Sequence, residues 1–183
     1  MTPEVIPPRV PQYNWVDLGL PSGTLWLDRL VGAQSHMGIG LFYQWGAIVG
    51  HTASDGYDFS EETYEAQGLN LITSDLEDSQ DAARAFYGPA AKMPTSEQFL
   101  ELFNYTSIQR DGNSFIITSN VNGNSLKFPA IGYMNGGALL GTGRLYCWSS
   151  EIENNSLRVY ANLTYNVSNY LRYDGLNIMA VHS

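Results

Sequence analysis

Apolar, alternating segments stand at both ends of this chain, and that arrangement limits the available folds more than any other feature. Near the start, Val16, Leu18 and Leu20 alternate with Asp17 and Gly19, the PSG at 21–23 makes a tight turn, and TLWL at 24–27 resumes as a second strand. At the far end, GLNIMAV at 175–181 carries Leu176, Ile178, Ala180 and Val181 in a final strand. Strands of this kind are stable only when their apolar side chains are covered, so the two ends of the chain are expected to meet in one sheet. The chain has 183 residues, enough for one domain with a sizeable core.

The middle of the chain alternates between helix and strand signals. DSQDAARAFYG at 78–88 predicts a helix with Asp78 or Ser79 as its cap and Gly88 as its stop. PTSEQFLELFNY at 94–105 predicts a second, in which Thr95 and Gln98 form a capping box and Phe99, Leu102 and Phe103 share one face. SFIITSN and SLKFPAIGY read as strands joined by NGN at 122–124. Residues 32–58 read as long ordered loops with short strands, and MNGGALLGTG at 134–143 as a glycine-rich loop with neither the lysine nor the following helix of a phosphate-binding loop. In SLRVYANLT at 156–164, Leu157, Val159, Ala161 and Leu163 alternate with polar residues, which predicts a strand with one apolar face. Two helices among many antiparallel strands make the fold class α+β.

Composition removes several functions. The net charge is −9, with only 9 Lys and Arg, so neither nucleic acid nor an anionic membrane is expected as partner. No apolar run reaches the ~20 residues of a membrane span. Residues 1–13, with Pro3, Pro7, Pro8 and Pro11, read as a proline-rich arm without the features of a signal peptide, and 14–183 as the domain. Cys147 is the one cysteine and reads as a buried apolar residue. Ser149 and Ser150 lack a nucleophile elbow, and His36, His51 and His182 have no metal-ligand spacing. Asp55, Asp58, Glu61 and Glu62 read as a solvated acidic loop, with calcium at Asp55 and Asp58 as the alternative. No catalytic group, cofactor or metal is expected.

Residues 154–178 carry the strongest signal. Tyr160, Tyr165, Tyr170 and Tyr173 interleave with Asn162, Asn166, Ser168, Asn169, Asp174, Asn177, Arg158 and Arg172. Tyrosine gives a stiff contact area with a polar tip, and Asn and Ser give adaptable hydrogen bonds, which is the chemistry of antibody-type binding surfaces. These twelve residues are the candidate ligand-binding set. The 25 residues contain no Lys, Gln, Glu, Met or Trp, although the whole chain has 2 Lys, 7 Gln, 9 Glu, 5 Met and 4 Trp.

VDLGLPSGTLW, DAARAFYG, MPTSEQFLELF, NGNSLKFPAIGY and YCWSSE, in that order, with the closing GLNIMAV, resemble the Fibrobacter-type major paralogous domain of gut Bacteroidetes and their phages. That family is similar to C-type-lectin folds of the formylglycine-generating-enzyme type. The resemblance implies such a fold, with the N- and C-terminal strands paired. It also points to the variable proteins of diversity-generating retroelements, whose C-terminal segment is mutated at adenines. Mutated AAC or AAT codons reach Tyr, Asp, Ser, Thr, Ile, Leu, Val, Arg and Gly but not the five absent types. The calcium and sugar motifs of lectins are missing here, and a single cysteine does not supply the pair the formylglycine-generating enzyme uses, so neither activity carries over. The expectation is a non-enzymatic, hypervariable receptor-binding protein, such as a phage tail-fibre tip. Its partner would be a bacterial cell-surface protein or glycan or another macromolecule, and it would act on a virion or a bacterial surface. Residues 1–13 would join a larger assembly or support homo-oligomers. A non-diversified surface or pilus-tip adhesin is the alternative, and a metal-dependent enzyme of the same fold the second.

Overall fold

A computed structural model describes residues 12–182 and has an α+β architecture of three short helices and eleven short strands in small antiparallel sheets. The two ends of the chain share one sheet. β1 (Trp15–Asp17) pairs with β2 (Leu25–Leu27), and β2 pairs on its other edge with β11 (Val181–His182), so that Val181 lies opposite Trp26. β1 is shorter than the alternation predicts. It stops at Asp17 because the Asp17 carboxylate accepts the Gly19 N–H and turns the chain, while Leu18 and Leu20 remain buried. The proline-rich arm lies almost wholly outside the described residues. Its last two members, Gln12 and Tyr13, touch the domain: Arg29 donates to the Gln12 carbonyl, and the Tyr13 ring packs on Tyr87.

Three helices form where two were expected. α1 (Glu61–Ala66) occupies the supposed acidic loop, with Ser60 and Thr63 as a reciprocal capping box and Glu61 and Glu62 at its positive end. α2 (Ala82–Tyr87) is capped by Asp81 and stopped by Gly88. Asp78 and Ser79, expected as caps, lie in a separate 3-10 turn spanning Asp78–Gln80. α3 (Ser96–Asn104) has the Thr95/Gln98 capping box and buries Phe99, Leu102 and Phe103, as its periodicity predicts.

β3 (Thr106–Asp111), β4 (Ser114–Ser119) and β5 (Ser125–Pro129) form a meander, of which β3 has too little apolar alternation to be seen in the sequence, and β5 stops at Pro129, short of the strand expected over 125–133. The glycine-rich stretch is not a loop. β6 (Tyr133–Asn135) and β7 (Ala138–Leu140) pair as a hairpin, with Gly136 and Gly137 as its turn. Gly136 has a φ of 57°, a conformation that glycine adopts without steric cost. The third sheet, β8 (Leu145–Trp148), β9 (Ser156–Val159) and β10 (Tyr165–Ser168), is ordered β10-β9-β8. The strand expected over 156–164 ends at Val159. Asn162 accepts from both the N–H and the hydroxyl of Thr164, and Leu163 takes a φ of 69°. Ala161 and Leu163 are therefore exposed turn residues, not parts of the core.

Two main apolar clusters fill the interior. One packs α3 against β4, β5, β8 and β9, around Trp26, Phe99, Phe115, Phe128, Cys147 and Leu157. The other gathers Tyr43, Trp45, Ala82, Tyr146, Trp148, Leu176 and Ile178. The closing segment runs between them. Leu176, Ile178 and Ala180 face the second cluster, and Met179 and Val181 face the first. The strand expected over 175–181 forms only at its end, in β11, while Gly175, Leu176 and Asn177 make isolated bridges, yet cover on both sides is still why the segment is apolar at nearly every position.

Candidate functional site

The β8–β10 sheet has two unlike faces. Strand alternation directs Leu145, Cys147, Leu157, Val159 and Val167 into the cluster beneath α3. Tyr165 stands on the same side at the sheet's edge, where it is exposed and its ring stacks on Phe103 at 4.5 Å. The register places Tyr146, Arg158 and Asn166 side by side on the outer face. By the same alternation Arg144, Tyr160 and Thr164 follow in the next row and Trp148, Ser156 and Ser168 in the row beyond.

Chain segments that return across the outer face cover part of it. The Tyr170 ring packs edge-on to Tyr133 at 5.4 Å and to Trp148 at 6.4 Å, and Tyr133 packs on Tyr146 at 4.8 Å. The Arg158 guanidinium lies 4.6 Å above the Tyr170 ring, and its Nη2 makes a long 3.4 Å bond to the Asn169 carbonyl. Its Nε is buried without a partner. The Arg144 guanidinium lies 5.5 Å above the Tyr160 ring. The outer face is thus a platform of phenol rings with arginines laid over them.

The twelve expected site residues separate accordingly. Asn162, Asn166 and Asn169 are exposed, and Arg158, Tyr160 and Ser168 are half-buried on the outer face. Asn169 also accepts the Asn154 N–H, which ties the two ends of the β9–β10 unit together. Tyr170 and Tyr173 are half-buried, and the Tyr173 carbonyl accepts from Gln44. Arg172 points away from the platform: it stacks on Trp45 at 4.8 Å and donates to the Ile72 carbonyl.

Two members of the expected surface set are instead interior. Asn177 is 0% exposed, its Nδ2 donates to the Leu41 carbonyl, and its backbone bridges Cys147 between Tyr146 and Trp148. Asp174 is 1% exposed and accepts from Asn135 Nδ2 at 2.7 Å, while its Oδ2 has no partner. Burial raises the Asp174 carboxyl above the usual carboxylate range, and burial likewise pushes the neighbouring Tyr170 phenol up. A polar residue next to a glycine at the end of a Tyr/Asn-rich run reads as surface. Only the fold shows that the chain dives inward there.

Tyr133, Asn135, Arg144 and Tyr146 were not among the expected residues, although all four border the platform. One signal was available for Arg144, which stands two positions before Tyr146 in an alternating strand. The supposed loop character of 134–143 hid Tyr133 and Asn135.

Three groups outside the platform that the sequence singles out, Cys147, Ser149 and Asp55, are held by the fold. Cys147 is fully buried, and burial pushes its thiol well above the ordinary range, away from the reactive thiolate. The Ser149 hydroxyl donates to the Asn154 carbonyl and accepts the Glu151 N–H. The Asp55 carboxylate accepts from the Tyr57 and Thr52 N–H groups and meets His51 Nδ1, and these bonds, led by that from Tyr57, hold it below its usual range. Among the described residues, no three His, Cys, Asp or Glu side chains gather as a metal site, and no helix is long and apolar enough to cross a membrane.

The molecule defined by these features is an α+β domain that displays an aromatic and arginine-bearing sheet face. No protein-family model, curated protein or solved structure matches the chain.

Proposed function

We propose that this chain is a non-enzymatic ligand-binding protein of C-type-lectin-like fold, whose residues 154–177 form a diversified surface of the kind found in variable proteins of diversity-generating retroelements. One observation carries the reading. The segment without Lys, Gln, Glu, Met or Trp is also the segment in which buried Leu157 and Val159 alternate with Arg158 and Tyr160 and then give way to exposed Asn162 and Asn166. Those five types make up roughly one residue in seven of the chain, so composition alone would place three or four in such a window. A scaffold that must stay constant beneath a surface that varies needs that separation. The most concrete setting is a receptor-binding tip of a phage tail fibre or a bacterial surface adhesin, with a cell-surface macromolecule as partner and residues 1–13 as the attachment.

Sequencing the same locus in several isolates tests this. Substitutions should fall at adenine positions within 154–177 and at outward residues, with Leu157, Val159, Asp174 and Asn177 unchanged. A reverse transcriptase and a near-identical template repeat should lie beside the gene. Substitutions scattered evenly over the chain would rule out diversification. An invariant segment that still binds a ligand through Tyr160 would leave the non-diversified adhesin.

A further inference from the structure

The exposed charges of the platform are arginines, in a chain that is acidic as a whole. The chain carries 18 Asp and Glu and a net charge of −9, yet 129–150 and 154–173, which supply the β6–β7 hairpin and all three strands of the β8–β10 sheet, contain no acidic residue. They do contain Arg144, Arg158 and Arg172. Arg172 is spent on Trp45 and Ile72, but the other two lie over Tyr160 and Tyr170 on the outer face. Arg144 is exposed, and Arg158 holds only one long hydrogen bond and a buried Nε with no partner. Guanidinium groups stay charged at every working pH and offer more donors than these contacts use.

The face is also shaped for a macromolecule. The cavities of about 350 Å³ and about 300 Å³ lie elsewhere, beside Glu101 and beside Glu151, and each is lined by carboxylates. Trp148, Ser156 and Tyr146 are buried, so the part of the platform open to solvent is the end bearing Arg144, Tyr160, Thr164 and Asn166, with Leu140 42% exposed opposite Tyr133. Tyrosine and arginine with a few leucines, and no Lys, Asp or Glu, is the composition found at the centre of protein–protein interfaces.

We infer that the outer face of the β8–β10 sheet docks an acidic protein segment, with Arg144 and Arg158 pairing its carboxylates and the rings of Tyr133, Tyr160 and Tyr170 covering the chain between them. The inference rests on the binding reading above and adds the partner's chemistry. It also has a constant component. Arg144 and Tyr133 lie outside 154–177, so partners of different variants would share an acidic character.

The test uses the full chain, immobilised and panned against a random peptide library, with a polyuronate polysaccharide and a neutral polysaccharide as separate probes. Enriched peptides should be rich in Asp and Glu, should lose affinity as salt rises, and should bind at least about tenfold more weakly to Arg144→Gln/Arg158→Gln. Arg144→Gln alone, at an exposed position, should weaken binding with an unchanged melting temperature, which covers the case in which the Arg158 change disturbs folding. Enriched peptides without acids, or affinity unchanged in the double variant, would overturn the inference. So would binding of the polyuronate without any acidic peptide. If neutral peptides are enriched and are lost on Tyr160→Ala, the binding reading stands and the acidic partner falls. If no probe binds this face, both fall.

Discussion

Tyr160 and Tyr170 lie ten positions apart in a run of uniform composition, yet their surroundings differ. Tyr160 lies beneath one arginine at the open end of the sheet, whereas Tyr170 sits among Tyr133, Tyr146 and Trp148. Tyr170→Ala should therefore leave a cavity and cost about 3 kcal/mol in urea unfolding, while Tyr160→Ala should stay within about 0.5 kcal/mol. A ligand-binding loss in Tyr160→Ala at unchanged stability would mark a contact residue. The same loss in Tyr170→Ala would not separate contact from folding. Asp174 adds a pH dependence. Its folded-state carboxyl is raised by burial, so the folded chain holds the proton more tightly than the unfolded one. The associated stability is fully present below the ordinary carboxylate value and is lost as pH rises through the raised folded value. Asp174→Asn keeps an acceptor for Asn135 and removes the titration. Its stability should fall less than that of the wild type as pH rises from about 4 toward neutrality, as measured by thermal melts across that range.

At the scale of elements, capping chemistry is legible where no competing acidic run surrounds the cap. The Thr95/Gln98 box of α3 is visible in PTSEQ and present in the fold, and Thr95→Ala should cost about 1 kcal/mol in denaturant unfolding. The Ser60/Thr63 box of α1 is equally local, but the acids around it read as a solvated loop. Hairpin β6–β7 is not legible in the sequence because glycines obscure its alternation. Its geometry depends on Gly132, whose φ is 93° and whose position leaves no room for a Cβ beside the Leu140 carbonyl. Gly132→Ala should displace the hairpin, with it Tyr133 and Asn135, and lower stability by about 2 kcal/mol or more, visible as lost amide protection at β6 and β7. β3 shows the opposite limit. TSIQRD pairs along its whole length with β4, although only Ile108 in it is apolar, so nothing local marked it.

At the scale of the molecule, the closing segment holds both cores. Leu176 pairs with Tyr43, Asn177 with Cys147, and Val181 with both Trp26 and Lys92. Deleting residues 176–183 should therefore abolish cooperative unfolding, not merely lower the melting temperature, and loss of near-ultraviolet dichroism would show it. What the sequence determined by itself was the α+β class, the meeting of the two ends in one sheet, the face of α3 and the β4–β5 hairpin. Each of these is written in periodicity or in a cap spanning a few residues. The tertiary structure alone decided which tyrosines of 154–177 face outward, that Asp174 and Asn177 are interior, and that Arg144 and Tyr133 border the same platform. Those outcomes depend on where a returning segment crosses a sheet assembled from distant parts of the chain. Polarity along the sequence does not encode which surface such a crossing covers.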